Sequence, residues 1–205
     1  SLSNYHFVIF MEIETHAFPP FFPPKASTLV LGTFPTHGRN WKFNFYYPGR
    51  SNFFWRILGD VYGHTYQHNT GDAAAEERKQ LCIKHGIALS DTVLSCKRIV
   101  ATSSKDSDLE ICEMMPLVDM LREHKTIDTV ILTSSSGEVS AHHLFYKHLA
   151  QQHIPYLVAE TKPPIHGNFT LDGRLINVYT LYSPSGINIG RYSIALEMFR
   201  TYLPK

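Results

Sequence analysis

Cysteine is scarce in this 205-residue chain, which has three, Cys82, Cys96 and Cys112. An odd, widely spaced set excludes a disulfide framework and fits reduced intracellular thiols. It also falls short of the four thiolates of an ordinary iron–sulfur cluster. Excess charge is absent too: 19 basic and 18 acidic residues give a formal net charge of +1. No global positive field recruits nucleic acid, so any such affinity must come from a local patch. No apolar run nears the ~18 residues of a membrane span, so no membrane partner is expected. The opening SLSNYHFVIF lacks the basic start and small-residue cleavage site of a secretory leader. Residues 1–15 are expected to be a flexible lead, and 16–205 a single domain of a size that buries one large core. A monomer in a cytoplasmic, bacterial-type setting is expected.

Phosphate-cradling glycine motifs are missing as well. One glycine, Gly32, follows the first strand without a G-x-G-x-x-G or Walker lysine pattern, which argues against a nucleotide cofactor, and no cofactor is expected. Twelve histidines are present, including His142, His143 and His148, but only His64 and His68 stand four apart. No Glu-x-x pattern accompanies that pair, so no metal site is expected.

What the chain does have is concentrated between residues 27 and 59, STLVLGTFPTHGRNWKFNFYYPGRSNFFWRILG. A short apolar strand at 29–31 breaks at Gly32 and Pro35, crosses a polar and aromatic loop, and restarts as a helix at residues 51–52. In open parallel sheets, ligands bind beyond the carboxyl ends of the strands, so this loop should face a pocket. Phe43, Phe45, Tyr46 and Tyr47 are flat faces of the kind that stack on bases; Arg39, Lys42 and Arg50 suit phosphates. The alternative for any one aromatic is a core anchor.

Proline-rich residues 17–24 read as an extended lead-in to the first strand. Helices are expected over 52–62, 72–85, 109–124 with a break at Pro116, 138–151 and the C-terminal residues. Strands are expected at 29–31, 87–89, 127–132 and 175–181, with a minor one at 156–160 and a hairpin turn at Asp172-Gly173. Asp91, just past the second strand, either does chemistry or caps the turn that follows. Ser134 begins a hydroxyl-rich turn that could dock a phosphate or simply cap a helix. The alternation gives an α/β fold: a three-layer α/β/α sandwich around a small, mainly parallel four-stranded sheet.

Four segments together, LVLGTFP, FYYPGRSNFFWRIL, GIALSDTVLSCKR and LYSPSGINIGR, resemble the uracil-DNA glycosylase superfamily, most closely its hypoxanthine-DNA glycosylase branch. The closing SPSG loop is also similar to that of mismatch-specific uracil-DNA glycosylases. The resemblance spans about residue 16 to the end. It implies base flipping from damaged DNA, without a cofactor. The position that carries Asp or Asn in many branches is Phe34 here, as in the hypoxanthine branch, where an Asn in the segment matching Asn52 acts instead; Asn52 therefore inherits the catalytic role. The resemblance gives Phe45 the stacking place against the flipped base and Ile187 the wedge driven into the duplex. Gly32, Thr33, Phe34, Tyr46, Ser183 and Ser185 would line the base pocket; Arg50, Ser134, Gly186 and Arg191 would contact the DNA.

From the residues alone, Asn52 reads first as a helix N-cap, and Ile187 equally as a core side chain. An amide can hold a water or a base edge, although it is no strong base. The expected activity is monofunctional excision of a deaminated base, hypoxanthine first and uracil second. No lyase step is expected, since no lysine sits in the pocket loops, Lys42 lying only nearby. The rival is a nucleic-acid or nucleobase binder of the same fold without the chemistry.

Overall fold

A computed structural model describes residues 11–205 of the chain. Its elements in order are β1 (Ile13–Thr15), β2 (Thr28–Gly32), α1 (Phe54–Tyr62), α2 (Gly71–His85), β3 (Ile87–Asp91), β4 (Val93–Arg98), β5 (Leu109–Met114), α3 (Leu117–Glu123), β6 (Thr129–Leu132), α4 (Ala141–Gln151), β7 (Tyr156–Val158), β8 (Ile165–Leu171), β9 (Arg174–Thr180) and α5 (Tyr192–Tyr202). The main sheet has six strands in the order β3-β2-β6-β9-β8-β7. The four strands expected from the sequence form its parallel part, and β8 and β7 add an antiparallel edge. Antiparallel β8 follows from the hairpin at Asp172-Gly173, where both residues adopt positive φ, 51° and 84°, as a tight two-residue turn requires.

Alternation along the parallel strands builds two cores. Val30 and Ile131 point to one face, where α1, α2 and α5 contribute Phe54, Ile57, Leu81 and Phe199. Leu29, Leu31, Val130 and Leu132 point to the other, against α3 and α4 through Leu121, Phe145 and Leu149. Strands buried on both faces read as continuous apolar runs, which is why these were visible in the sequence.

A second, three-stranded antiparallel sheet, β1-β4-β5, sits beyond β3. It corrects two expectations. Residues 109–124 do not form one helix: Leu109–Met114 is strand β5, paired with β4, and the helix starts only after Pro116. The spacing of Leu109, Ile111 and Met114 suits either period, and the open edge of β4 decides it. Residues 13–15, expected within a flexible lead, form β1 on the other edge of β4. There Arg98 Nε donates to Glu14 Oε2 at 2.9 Å. The rest of that lead, residues 1–10, lies outside the described residues. No helix among the described residues is long and apolar enough to cross a membrane.

Candidate functional site

Three parallel strands end side by side at Gly32, Asp91 and Leu132, with Thr133 next in the chain. The chain continues from β3 into the small sheet, with Thr92 N–H donating to Gly32 O at 2.9 Å and Val93 N–H to Thr33 O at 3.1 Å. A Cβ on Gly32 would stand 2.6 Å from Asp91 Oδ1, so only glycine lets that carboxylate approach the neighbouring strand. Asp91 Oδ2 accepts from His16 Nε2 at 2.6 Å. His16 Nδ1 accepts the Phe18 N–H at 3.0 Å, which places the proton on Nε2 and makes His16 a neutral donor. Both side chains are buried.

Tyr47 reaches the same edge from the aromatic loop. Thr133 Oγ1 donates to Leu31 O at 3.2 Å and so accepts from the Tyr47 hydroxyl at 3.3 Å. Burial first, then the neighbouring Asp91, raises the Tyr47 phenol far above its ordinary range, so it stays protonated. Its φ of 52° is rare outside glycine and marks a backbone held in place by its surroundings. Asp106, from the short 3-10 turn before β5, is pushed up to about 6, chiefly by burial and then by Asp91, against lowering by a Thr33 hydrogen bond and by Arg98. Asp91 and Asp106 thus lie close enough to interact.

A second group abuts this edge. Phe53 N–H, at the start of α1, donates to Pro184 O at 2.8 Å. A Cβ on Gly186 would fall 2.6 Å from Ser51 Cβ and 2.9 Å from Ser51 O. The 183–186 loop is thereby locked against the segment bearing Asn52. Within it, Ser183 Oγ accepts the Ser185 N–H at 3.2 Å, and Asn188 Nδ2 donates to Ser183 O at 3.1 Å. The 3-10 turn Gly186–Arg191 follows. Ile187 on it is 91% exposed, and Arg191 lies over the Tyr182 ring at 5.1 Å. A fully exposed isoleucine on a tight turn is not core packing for α5.

Asn52 caps α1 without being its formal N-cap: its Oδ1 accepts the Phe54 N–H at 2.9 Å, while Phe53 holds the cap position. One Oδ1 lone pair and both Nδ2 hydrogens have no partner among the described residues. A cleft of about 530 Å³ opens beside Asn52 and includes Arg50, Lys42 and Ile189.

Two expected base contacts are corrected. Phe45 and Tyr46 are 3% and 1% exposed. Phe45 stacks on Trp55 at 5.9 Å with Phe21 edge-on at 5.3 Å. The Tyr46 hydroxyl donates to Pro19 O at 3.0 Å. Their rings anchor the aromatic loop in the core, so no face is open to a base. Phe34 is half-buried and meets His16 edge-on at 5.5 Å. Ser134 Oγ accepts the Ala141 N–H at 2.9 Å and lies 3.3 Å from Thr33 Oγ1; it serves the start of α4, although Ser140 is the N-cap. Sequence reasoning missed Tyr47 as the polar reach of its loop, and His16, Thr133 and Asp106 altogether. The signal available was position, since Thr133, like Asp91, directly follows an apolar strand.

Among the described residues no group of three or more His, Cys, Asp or Glu could hold a metal ion. The three cysteines are free.

No family model matches the chain, and no curated protein sequence matches it. Among solved structures the fold is similar to the solution NMR structure of "a putative uracil DNA glycosylase from Methanosarcina acetivorans", with a TM-score of 0.60 at 19% sequence identity, covering 93% of this chain and 99% of that one. Identity this low carries the architecture alone: this chain shares the α/β fold of that protein, a mostly parallel six-stranded sheet between helical layers.

Proposed function

We propose that this chain is a monofunctional DNA glycosylase of base-excision repair, hydrolysing the N-glycosidic bond of a deaminated base flipped out of damaged DNA. Hypoxanthine is the favoured base and uracil the second. The observation that carries this reading is Ile187, an almost wholly exposed isoleucine on a turn locked against the Asn52 segment. An apolar tip beside a polar crevice is what base flipping needs, since the gap left in the stack must be filled.

The sheet edge bearing Asp91 supports recognition of a deaminated base on chemical grounds. Deamination converts an amine donor beside an acceptor nitrogen into a carbonyl acceptor beside an N–H donor. The Asp91 carboxylate can accept that N–H, and neighbouring hydroxyls can donate to that carbonyl, whereas adenine or cytosine presents the opposite pattern. Hypoxanthine and uracil share the pattern, so crevice size decides between them. Thr33, Ser183 and Ser185 add hydroxyls. Bond cleavage builds oxocarbenium character on the sugar and negative charge on the base. The Asn52 amide, with free Nδ2 hydrogens, positions the attacking water, and neutral His16 holds the Asp91 carboxylate in place. Damaged DNA is the partner, gripped by Arg50 and Arg191.

Single-turnover base release from duplexes carrying hypoxanthine, uracil or xanthine tests the reading. Release of hypoxanthine, or of uracil, is expected. Tight duplex binding without release of any base would favour the non-catalytic binder, a reading helped by the engagement of Asn52 Oδ1 as a cap.

A further inference from the structure

The cleft beside Asn52 holds a buried cation that the excision reaction leaves unused. Arg78, on α2, is 3% exposed. Its guanidinium lies over the rings of Tyr66 at 4.4 Å and Phe43 at 4.5 Å. Nη1 donates to the carbonyls of His68 at 2.9 Å and Ala74 at 3.1 Å, while Nε has no acceptor among the described residues. The adjacent Glu77 makes no hydrogen bond to it, its carboxylate accepting from Gln67 N–H, His68 N–H and His64 Nε2 instead. Burying a guanidinium without a carboxylate is costly unless an anion completes it.

The cleft supplies further positive charge and little else. Lys42, Arg50 and Arg56 line it with Arg78, and its one acidic lining residue, Asp60, is bonded by the Tyr192 hydroxyl. Burial, then Arg78 and Arg50, lowers the Lys42 ammonium below its ordinary range, which shows how closely these cations crowd. A tetrahedral anion accepts hydrogen bonds from several directions at once and suits such a set better than a planar carboxylate. The volume, about 530 Å³, accommodates a nucleotide unit, and the Phe43 and Tyr66 rings flank the charge.

We propose that this cleft is a phosphate site that grips the backbone of the strand carrying the target base, with Lys42, Arg56 and Arg78 as its donors. The carrier follows from continuity: both Asn52 and Ile189, on the Ile187 turn, line the cleft, so a strand displaced by Ile187 lies within its reach. The identity of that strand rests on the glycosylase reading, whereas the anion site stands on the cations themselves.

The test uses the full chain and follows the Arg78 Nε–H resonance by NMR during titration with inorganic phosphate, a tetrathymidylate, and the same oligonucleotide with neutral methylphosphonate linkages. Phosphate and tetrathymidylate should shift the resonance and slow its exchange with water, and the neutral oligomer should not. Lys42→Gln and Arg56→Gln, at the open side of the cleft, should each weaken tetrathymidylate binding three- to tenfold and lower the salt slope by about 0.7, the single-strand value for one contact. No shift with any probe, equal shifts with the neutral oligomer, or a response to phosphate but not to tetrathymidylate would overturn the proposal. The glycosylase reading fails separately: a shift with tetrathymidylate but no base release keeps the cleft and removes the enzyme, and base release without any shift does the reverse.

Discussion

Replacing Asn52 separates the two jobs its position allows. The side chain stabilises the start of α1 through Oδ1, which accepts the Phe54 N–H at 2.9 Å, and offers its Nδ2 hydrogens to the crevice. Asn52→Ala removes both. Loss of a helix-start acceptor costs about 0.5–2 kcal/mol, which lowers Tm by roughly 1–8 °C for a chain of this size. Asn52→Asp keeps an acceptor at the same place, and a negative charge at a helix N-terminus adds a few tenths of a kcal/mol, so its Tm should equal or slightly exceed that of the parent. Both variants should release base about 10² times more slowly, since both lack the amide donors and Asp adds a charge that repels the departing base anion. Instability cannot imitate this: a domain with about 5–15 kcal/mol of stability that loses ~1 kcal/mol stays more than ~99% folded. The assay is single-turnover base release at saturating enzyme, alongside thermal melts and binding to a duplex with an uncleavable base, which should change little. An Asp variant with the parent's rate, or an Ala variant whose rate loss follows its melting curve, would reduce Asn52 to a helix cap.

Phe45→Ala should cost about 3–5 kcal/mol in urea unfolding, as for a large core aromatic, and leave the ratio of affinities for damaged and abasic duplexes unchanged; a fall in that ratio without loss of stability would return the ring to the base pocket. Asp106 has a folded pKa of about 6 against an ordinary 3.8, so between those values the folded state holds the proton better, stability falls as pH rises, and above about 6 the full penalty persists. Asp106→Asn should therefore stabilise the protein by about 1–3 kcal/mol at pH 7.5 and by almost nothing at pH 3.5, an expectation that equal gains in melts at both pH values would defeat. Ile187→Gly should slow excision from fully paired duplex far more than from single strands, where the unstacking cost of a few kcal/mol is mostly absent; equal slowing on both would remove the wedge. Arg191→Ala should weaken all duplexes alike and flatten the salt dependence by about one phosphate contact, and a sequence- or lesion-dependent loss would contradict that.

The parallel part of the sheet was legible because strands buried on both faces leave unbroken apolar runs, and because Gly86 and the Asp172-Gly173 turn adopt the positive φ their residue types favour. The small sheet was not. β4 is interrupted by Ser95 and ends in Lys97 and Arg98, and its partner β5 is mostly exposed on one face, so neither has a run long enough to outweigh a helical reading. The third strand, β1, joins from far away in the chain: Ile13 opposes Lys97. Local pattern cannot report a strand that exists because a distant edge is open to it.

The aromatics of the candidate site were misread in the sequence, and the cause is physical. A loop that must hold a polar group steady at a sheet edge needs anchors, and the anchors are larger and more apolar than what they hold. Phe43, Phe45 and Tyr46 are buried so that Tyr47 can stack on Phe54 at 4.0 Å and set its hydroxyl against Thr133 in a backbone conformation it would not choose alone. Composition counts the anchors, whereas only packing tells which ring of the four carries its hydroxyl to the sheet edge. The same holds for His16, which donates to Asp91 from 75 residues away. Removing that donor would leave a buried carboxylate without its partner, at a cost of about 1–3 kcal/mol or more, so the segment before β2 belongs to the site even though no ligand need touch it.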